Sequence, residues 1–272
     1  MKLKELPVSI FKTYDLKLRS SNKLKTVNGD EHPVVISLTT ISFRLPKVHS
    51  VIRNILSQKT RPKHIVLWLN ENLKNDVPNS LKILEGDIFK IKFSPLDCPH
   101  LKLVESIKSF GDLPIITCDD DIIYNKFWLS SLIETYKEIP NKVIAHKVRC
   151  IKYNESGDLL SYKKWNCSGS ESKKSWLPIG SEGVLYPPNL FSSLITNEDL
   201  FLKLAPKADD LWFKAVALSE NIFVEKVKSP VKEAIPIMGT QKISLKKENV
   251  NEDKNLKQWQ ALQNYFGFNL HD

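Results

Sequence analysis

Between residues 33 and 139 the chain alternates two hydrophobic periodicities, and few folds accommodate that alternation. The β-branched run PVVISLTT (33–40) has the composition of a buried strand. Next comes LPKVHSVIRNILSQ, where Val48, Val51, Ile52, Ile55 and Leu56 recur at i, i+3, i+4, i+7 and i+8, the spacing of a helix with one apolar face. KHIVLWLNE (63–71) and FKIKFSP (89–95) read as second and third strands, and PHLKLVESIKSF as a helix ended by Gly111. LPIITC is a fourth strand. KFWLSSLIETYKE carries Leu129, Leu132, Ile133 and Tyr136 on one face and is a further helix. Such alternation predicts an α/β fold, a mainly parallel sheet flanked by helices on both faces.

Past residue 139 the pattern loosens. KVIAHKVRCIKY predicts a strand, NESGD a turn and KKWNCSGSESKKSW a polar loop. DDLWFKAVALSE predicts a helix with the strand NIFVEKV behind it, and the polar tail ends in a short amphipathic helix. A length of 272 residues suits one large domain, and 42% hydrophobic with 26% charged residues is an ordinary globular balance. No apolar run reaches the roughly 20 residues that span a bilayer. The start, MKLKELPVSIFKTYDLKLRSSNKLK, lacks the apolar core and small-residue cleavage site of a secretory signal. Cys98, Cys118, Cys150 and Cys167 are irregularly spaced, with neither a zinc pattern nor a disulfide framework, so a reducing cytoplasm is expected.

The acidic run in LPIITCDDDIIY is the most demanding local feature. Asp119, Asp120 and Asp121 repel one another and require a cation or a strongly solvated turn. They fall just past the fourth strand, and open parallel sheets bind ligands at the carboxyl ends of their strands. A hard divalent cation takes oxygen ligands and bridges protein carboxylates to substrate phosphates. The alternative is a turn or helix cap, for which three carboxylates are more than enough. Thr39, Thr40 and Arg44 follow the first strand, and Asn70 and Glu71 end the second, so they fall at the same end of the sheet. Asp209 and Asp210 open a helix, where one Asp suffices as a cap. Gly180 and Gly183 bracket a tight turn, IGSEG.

IITCDDDIIY resembles the DxD motif of GT-A-fold, nucleotide-sugar-dependent glycosyltransferases. VVISLTTISFRLPKVHSVIRNILSQKTRPKHIVLWLNE resembles their opening β-α-β unit, and LKLVESIKSF the segment that carries a lysine near the nucleotide. LPIGSEGVLYPP followed by ADDLWFKAVAL resembles the acceptor-side half of bacterial polysaccharide-assembly transferases. The likeness covers roughly residues 33–220. It implies a GT-A (Rossmann-like) catalytic domain at 33–240, with a nucleotide-binding half (33–125) and an irregular acceptor-side half (126–240). A basic segment (1–32) precedes it and a tail with a short helix (241–272) follows.

The resemblance also implies roles. Mn²⁺ or Mg²⁺ would meet Asp121 first and Asp119 second, with Asp119 and Asp120 near the ribose. Thr39, Thr40, Arg44, Asn70 and Glu71 would line the nucleotide pocket, and Lys102 would face a phosphate. Asp210, or else Asp209, would be the base of an inverting reaction. Gly180, Ser181, Glu182, Gly183 and Trp212 would meet donor sugar or acceptor, and Trp165 and Trp176 are further stacking candidates. The expected donor is a UDP-sugar, and the acceptor an oligosaccharide or lipid-linked saccharide of capsule or lipopolysaccharide. A late histidine ligand is missing: His271 lies at the very end and His146 in a different context.

Three other readings use the same residues. A phosphatase with an aspartyl nucleophile has its DxD on the first strand, followed by Thr or Val; here it follows the fourth strand and precedes Ile122. A metal-dependent nuclease would use the carboxylates together with the net charge of +9. A non-enzymatic nucleic-acid binder would use only the charge and leaves the triplet unexplained, so no nucleic-acid partner is expected. Residues 1–25 carry seven Lys/Arg against Glu5 and Asp15. That excess predicts weak contact with an anionic membrane, and so a peripheral position on its cytoplasmic face.

Overall fold

Val35, Ile36, Ser37 and Leu38 are wholly buried in one strand and alternate between the two faces of a sheet. Ile36 and Leu38 join one apolar cluster, whereas Val35 joins a second on the other face. The computed structural model that shows this describes residues 5–25, 30–240, 253–268 and 270. Its first half runs α1 (Leu6–Leu18), α2 (Ser21–Lys25), β1 (Glu31–Thr39), α3 (His49–Leu56), β2 (Arg61–Asn70), α4 (Asn79–Lys82), β3 (Phe89–Ser94), α5 (Leu101–Phe110), β4 (Ile115–Thr117), β5 (Ile122–Ile123) and α6 (Trp128–Glu138). The second half runs β6 (Val143–Ala145), β7 (Val148–Cys150), β8 (Trp176–Pro178), β9 (Val184–Tyr186), α7 (Glu198–Leu204), α8 (Asp209–Ser219), β10 (Val224–Lys226), β11 (Ile235–Pro236) and α9 (Lys254–Phe266).

The main sheet has the order β10-β6-β9-β4-β1-β2-β3. β3, β2, β1 and β4 are parallel, as are β10 and β6. β9 runs antiparallel between β4 and β6. The fold is therefore α/β with a mainly parallel, Rossmann-like sheet. α3 and α6 cover one face, while α5 and α8 cover the other.

The expected single strand KVIAHKVRCIKY divides instead. β6 stays in the main sheet, and β7 pairs with β8 in a separate two-stranded sheet. His146 marks the break: its backbone N–H bonds to Gly183 O at 3.2 Å and its ring nitrogen meets Trp128 O at 2.9 Å. That ring is buried, and burial holds its pKa down at about 4.

Two further expectations change. Cys150 and Cys167 form a disulfide, because β7 and the polar loop after it bring two distant cysteines to a Cα separation of 5.0 Å. All eight residues of α3 are buried, not one face alone, because α1 and α2 lie over it. Leu16 and Leu24 enter its apolar cluster, and Arg53 donates to Arg19 O at 2.6 Å. Pro7 does not interrupt α1; it sits in the first turn, where its missing N–H costs nothing. The segment around Leu6–Lys25 is thus part of the packed structure. Lys2 and Lys4 lie outside the described residues, as does His271.

α9 likewise belongs to the core. Trp259 and Leu262 are fully buried in the cluster that also holds α8. No helix among the described residues is long and apolar enough to cross a membrane.

Candidate functional site

A cavity of about 870 Å³ opens where β1 and β4 end and α5 and α8 begin. Its position follows from the sheet: at β4 the neighbours lead one way through β1 to β3 and the other way through the reversed β9, leaving a crevice at the carboxyl ends. Thr39, Thr40, Arg44, Asn70, Lys102, Asp119, Asp120, Ser181, Glu182, Asp209 and Asp210 all line it.

Lys102 organises the cavity. It sits on the first turn of α5, whose position is set by a buried polar relay: Trp68 Nε1 donates to Ser106 Oγ, Ser106 Oγ to Ser37 Oγ, and Ser37 Oγ to the Lys102 carbonyl. The Lys102 ammonium lies 3.0 Å from Asp119 Oδ1 and 3.2 Å from Asp209 Oδ2. The second contact is an ion pair without directed hydrogen-bond geometry, since Asp209 Oδ2 has no hydrogen-bond partner among the described residues. Burial alone would lower the Lys102 pKa. Asp119, Asp209 and Asp210 outweigh it, so the lysine is charged.

Asp209 and Asp210 differ sharply. Burial raises the Asp209 pKa, but Lys102 and then His100 more than reverse this and hold it below the usual carboxylate range. Asp210 is pushed up to about 8, first by burial and then by the charge of Asp209. Its partner is the Gly180 N–H, at 3.2 and 3.1 Å from its two oxygens. A Cβ on Gly180 would lie 2.6 Å from Asp210 Oδ1, so any larger residue there would displace that carboxylate. Gly183 has φ 103°, and its Cβ would meet Trp128 Nε1 at 2.5 Å. Both glycines therefore shape the turn, and neither lines the cavity.

The acidic triplet divides its work. Asp120 accepts from Thr40 Oγ1 and from Arg44 Nη1, the latter at 2.6 Å. Asp121 pairs with Arg44 Nη2 at 3.1 Å, and its carbonyl accepts from Ile237 N–H at 2.8 Å. Asp121, the expected first metal contact, is buried and does not line the cavity. Asp119 alone keeps its carboxylate one-third exposed. Tyr124 ties the triplet to the IGSEG turn, accepting from Asp119 N–H and donating to Ser181 O, both at 2.9 Å.

Among the described residues, the cluster of three His, Cys, Asp or Glu with ligand atoms within 4.8 Å of one another is Cys150, Cys167 and Glu171, whose sulfurs are joined. The triplet makes no such cluster among the described residues: Asp120 and Asp121 turn to Arg44, and Asp119 to Lys102. The residues fit a divalent cation in one form: Asp119 as a single protein carboxylate, with phosphate oxygens and water completing the shell.

Other expected residues serve the fold. Asn70 reaches the cavity wall, but its amide donates to Pro95 O and Leu96 O at 3.0 and 3.1 Å and its Oδ1 caps Asn72 N–H. Glu71 is exposed and outside the cavity. Trp212 is a core residue that donates to Ile195 O at 2.9 Å, so it stacks on no sugar. Trp165 is equally buried, and Trp176 lies under Lys226, with Nζ 4.9 Å from the ring centre. Arg149, Tyr162 and Asn255 line the cavity and were not expected. The only signal for them was their polarity, Arg149 within a run read as a strand and Asn255 within the polar tail.

The sheet and its cleft define an α/β protein with a charged cavity at the carboxyl ends of its strands. No protein-family model and no curated protein matches the chain. Among solved structures, it is similar to 4-diphosphocytidyl-2C-methyl-D-erythritol synthase from Anaerococcus prevotii DSM 20548, with TM-score 0.47 and 12% identity over 78% of this chain and 92% of that one. A CMP:2-keto-3-deoxy-manno-octonic acid synthetase complexed with CTP gives TM-score 0.46 and 13% identity over 76% of this chain and 92% of that one. At scores this low neither likeness carries an argument, and the α/β class rests on the strand order itself.

Proposed function

We propose that this protein is a nucleotide-sugar-dependent glycosyltransferase of bacterial surface polysaccharide assembly, with an inverting mechanism. The observation that carries the reading is Lys102, which joins Asp119 at the end of β4 to the Asp209–Asp210 pair at the start of α8 within one cavity. Charge for a leaving diphosphate and a base for an attacking hydroxyl then share a single cleft.

In this reading the acceptor hydroxyl attacks the anomeric carbon while Asp210 takes its proton. The bond from that carbon to the diphosphate breaks, and the nucleoside diphosphate leaves with the electron pair. With its pKa at about 8 the Asp210 carboxyl is mostly protonated at pH 7, so the base is its ionised minority form, whose share grows as pH rises through 8. Lys102 and Arg44, each paired with two carboxylates, offset the negative charge of this end of the cleft so that a diphosphate can approach it. When bound, a divalent cation on Asp119 would add charge neutralisation to the same diphosphate.

α1 is the element suited to a membrane surface. Ile10, Phe11, Tyr14 and Leu18 form an exposed apolar stripe, 45%, 74%, 63% and 69% accessible, with Lys17 and Arg19 beside it. Such a stripe would hold the enzyme near a lipid-linked acceptor.

The test is calorimetric titration with UDP-, GDP- and CDP-sugars and with CTP, with and without Mn²⁺. Saturable binding of a nucleotide-sugar, and its transfer to a saccharide, is expected. Absence of binding by every nucleotide sinks the reading. Release of pyrophosphate from CTP would replace it with nucleotidyl transfer.

A further inference from the structure

One group of cavity residues belongs to none of the motifs that suggested a function. Arg149, on β7, and Tyr162, in the loop after it, both line the cavity. The Arg149 guanidinium lies over the Tyr162 ring, 4.6 Å from its centre, and Nη1 donates to the Tyr162 carbonyl at 2.8 Å. An aromatic face and a backbone carbonyl fix the plane of the fork without neutralising it. Two other cations that line the cavity differ plainly: Arg44 holds Asp120 and Asp121, and Lys102 holds Asp119 and Asp209. Among the described residues no carboxylate pairs with Arg149.

Asn255, at the start of α9, is the second observation. It is 8% exposed, lines the same cavity, and its Oδ1 has no hydrogen-bond partner among the described residues. A buried amide left in that state costs free energy that a ligand donor would recover.

The two sites are braced together. Tyr162 N–H donates to Asp253 Oδ1 at 3.2 Å, two residues before Asn255. The Cys150–Cys167 disulfide ties the loop carrying Tyr162 to the residue after Arg149. The group also lies near the candidate base. Burial raises the Tyr162 pKa to about 12, against the pull of Arg149, and the charge of Asp210 adds to the rise.

We propose that Arg149, Tyr162 and Asn255 form the acceptor subsite, and that the acceptor carries an oxyanion, a carboxylate or a phosphate, near the hydroxyl that reacts. This rests on reading the cavity as a glycosyl-transfer site. Arg149 takes the oxyanion through its remaining N–H groups, while the Tyr162 hydroxyl and the Asn255 amide hold sugar hydroxyls.

The test is calorimetry on the full chain saturated with UDP, GDP or CDP, whichever binds, so that phosphate cannot enter the donor end. Glucose, glucuronate and glucose 1-phosphate are compared. At least one anionic sugar is expected to bind ~10-fold or more tightly than glucose, the scale of one charge-assisted hydrogen bond. The sugar that gains identifies the oxyanion. Arg149→Met should abolish the preference and leave nucleotide affinity as it was. Asn255→Asp, nearly isosteric, puts a carboxylate beside the oxyanion and should weaken the anionic sugar but not glucose; it decides the matter if Arg149→Met does not fold. Equal binding of all three sugars, no binding of any, or variants that keep the preference would overturn the proposal while nucleotide binding stands. If no nucleotide binds, the reading of the cleft falls and this subsite with it.

Discussion

Gly180 donates its backbone N–H toward both carboxylate oxygens of Asp210, at 3.2 and 3.1 Å, from a position where a Cβ would come within 2.6 Å of Asp210 Oδ1. The glycine turn and the paired aspartates, 30 residues apart in sequence, are therefore one structural unit. It fixes where the candidate base points.

Asp210→Asn keeps an acceptor oxygen for Gly180 and removes the basic group. Turnover should fall by ~10²-fold or more with nucleotide affinity unchanged. Steady-state kinetics alongside calorimetry checks this, and normal turnover would reduce Asp210 to a turn-holding residue.

The same carboxyl should give stability a pH dependence. Its folded pKa, about 8, stands above its ordinary value of 3.8. Between those values the folded state holds a proton that the unfolded state has lost, so this contribution is full below about pH 4 and declines as pH rises through 8. Asp209 is shifted downward, so its own contribution disappears only in stronger acid. Urea unfolding at pH 5 and pH 8 should show wild type losing more stability across the interval than Asp210→Asn. Equal losses would contradict the assignment.

Lys102→Met removes the cation between Asp119 and Asp209. Breaking a buried pair from one side leaves uncompensated charge and costs about 3 kcal/mol. A lower urea midpoint at pH 7 is expected, together with weakened nucleotide binding. An unchanged midpoint would mean that water already compensates these carboxylates.

Cys167→Ser should destabilise the oxidised protein by about 3 kcal/mol, the chain-entropy value for a loop of this size. Reductant should shift the melting temperature of wild type and leave that of the variant alone. A wild-type protein with four titratable thiols when purified without reductant would show that the bridge does not form.

Phe11→Ser combined with Leu18→Ser should weaken sedimentation with anionic vesicles and leave transfer to a soluble acceptor unaltered. Point changes are the right probe. Deleting the segment would strip Leu16 and Leu24 from the core and Ser9 Oγ from Pro236 O, a 2.7 Å bond. Vesicle binding equal to wild type would remove α1 from the membrane proposal.

The regular half of the fold was legible because its cues are local. Val51, Ile52 and Ile55 sit on a helix at the expected spacing, and the run around Val35 is a buried strand. The acidic triplet was equally visible as a strand-end feature. KVIAHKVRCIKY was misread because its apolar content does not reveal that His146 turns away to bond Trp128. Sequence does not report that Asp121 pairs with an arginine 77 positions earlier, Arg44.

The sequence by itself determined the strand–helix alternation, the sheet class and the presence of concentrated carboxylates, since side-chain periodicity acts over a few residues. Tertiary structure alone decided that Asp119 faces the cavity while Asp121 does not, that Cys150 meets Cys167, and that Asn255 joins a site begun by Thr39. These outcomes depend on long-range pairing. A carboxylate's charge state and direction follow from the cation and the burial it encounters after the chain folds, and both come from segments far away along the sequence.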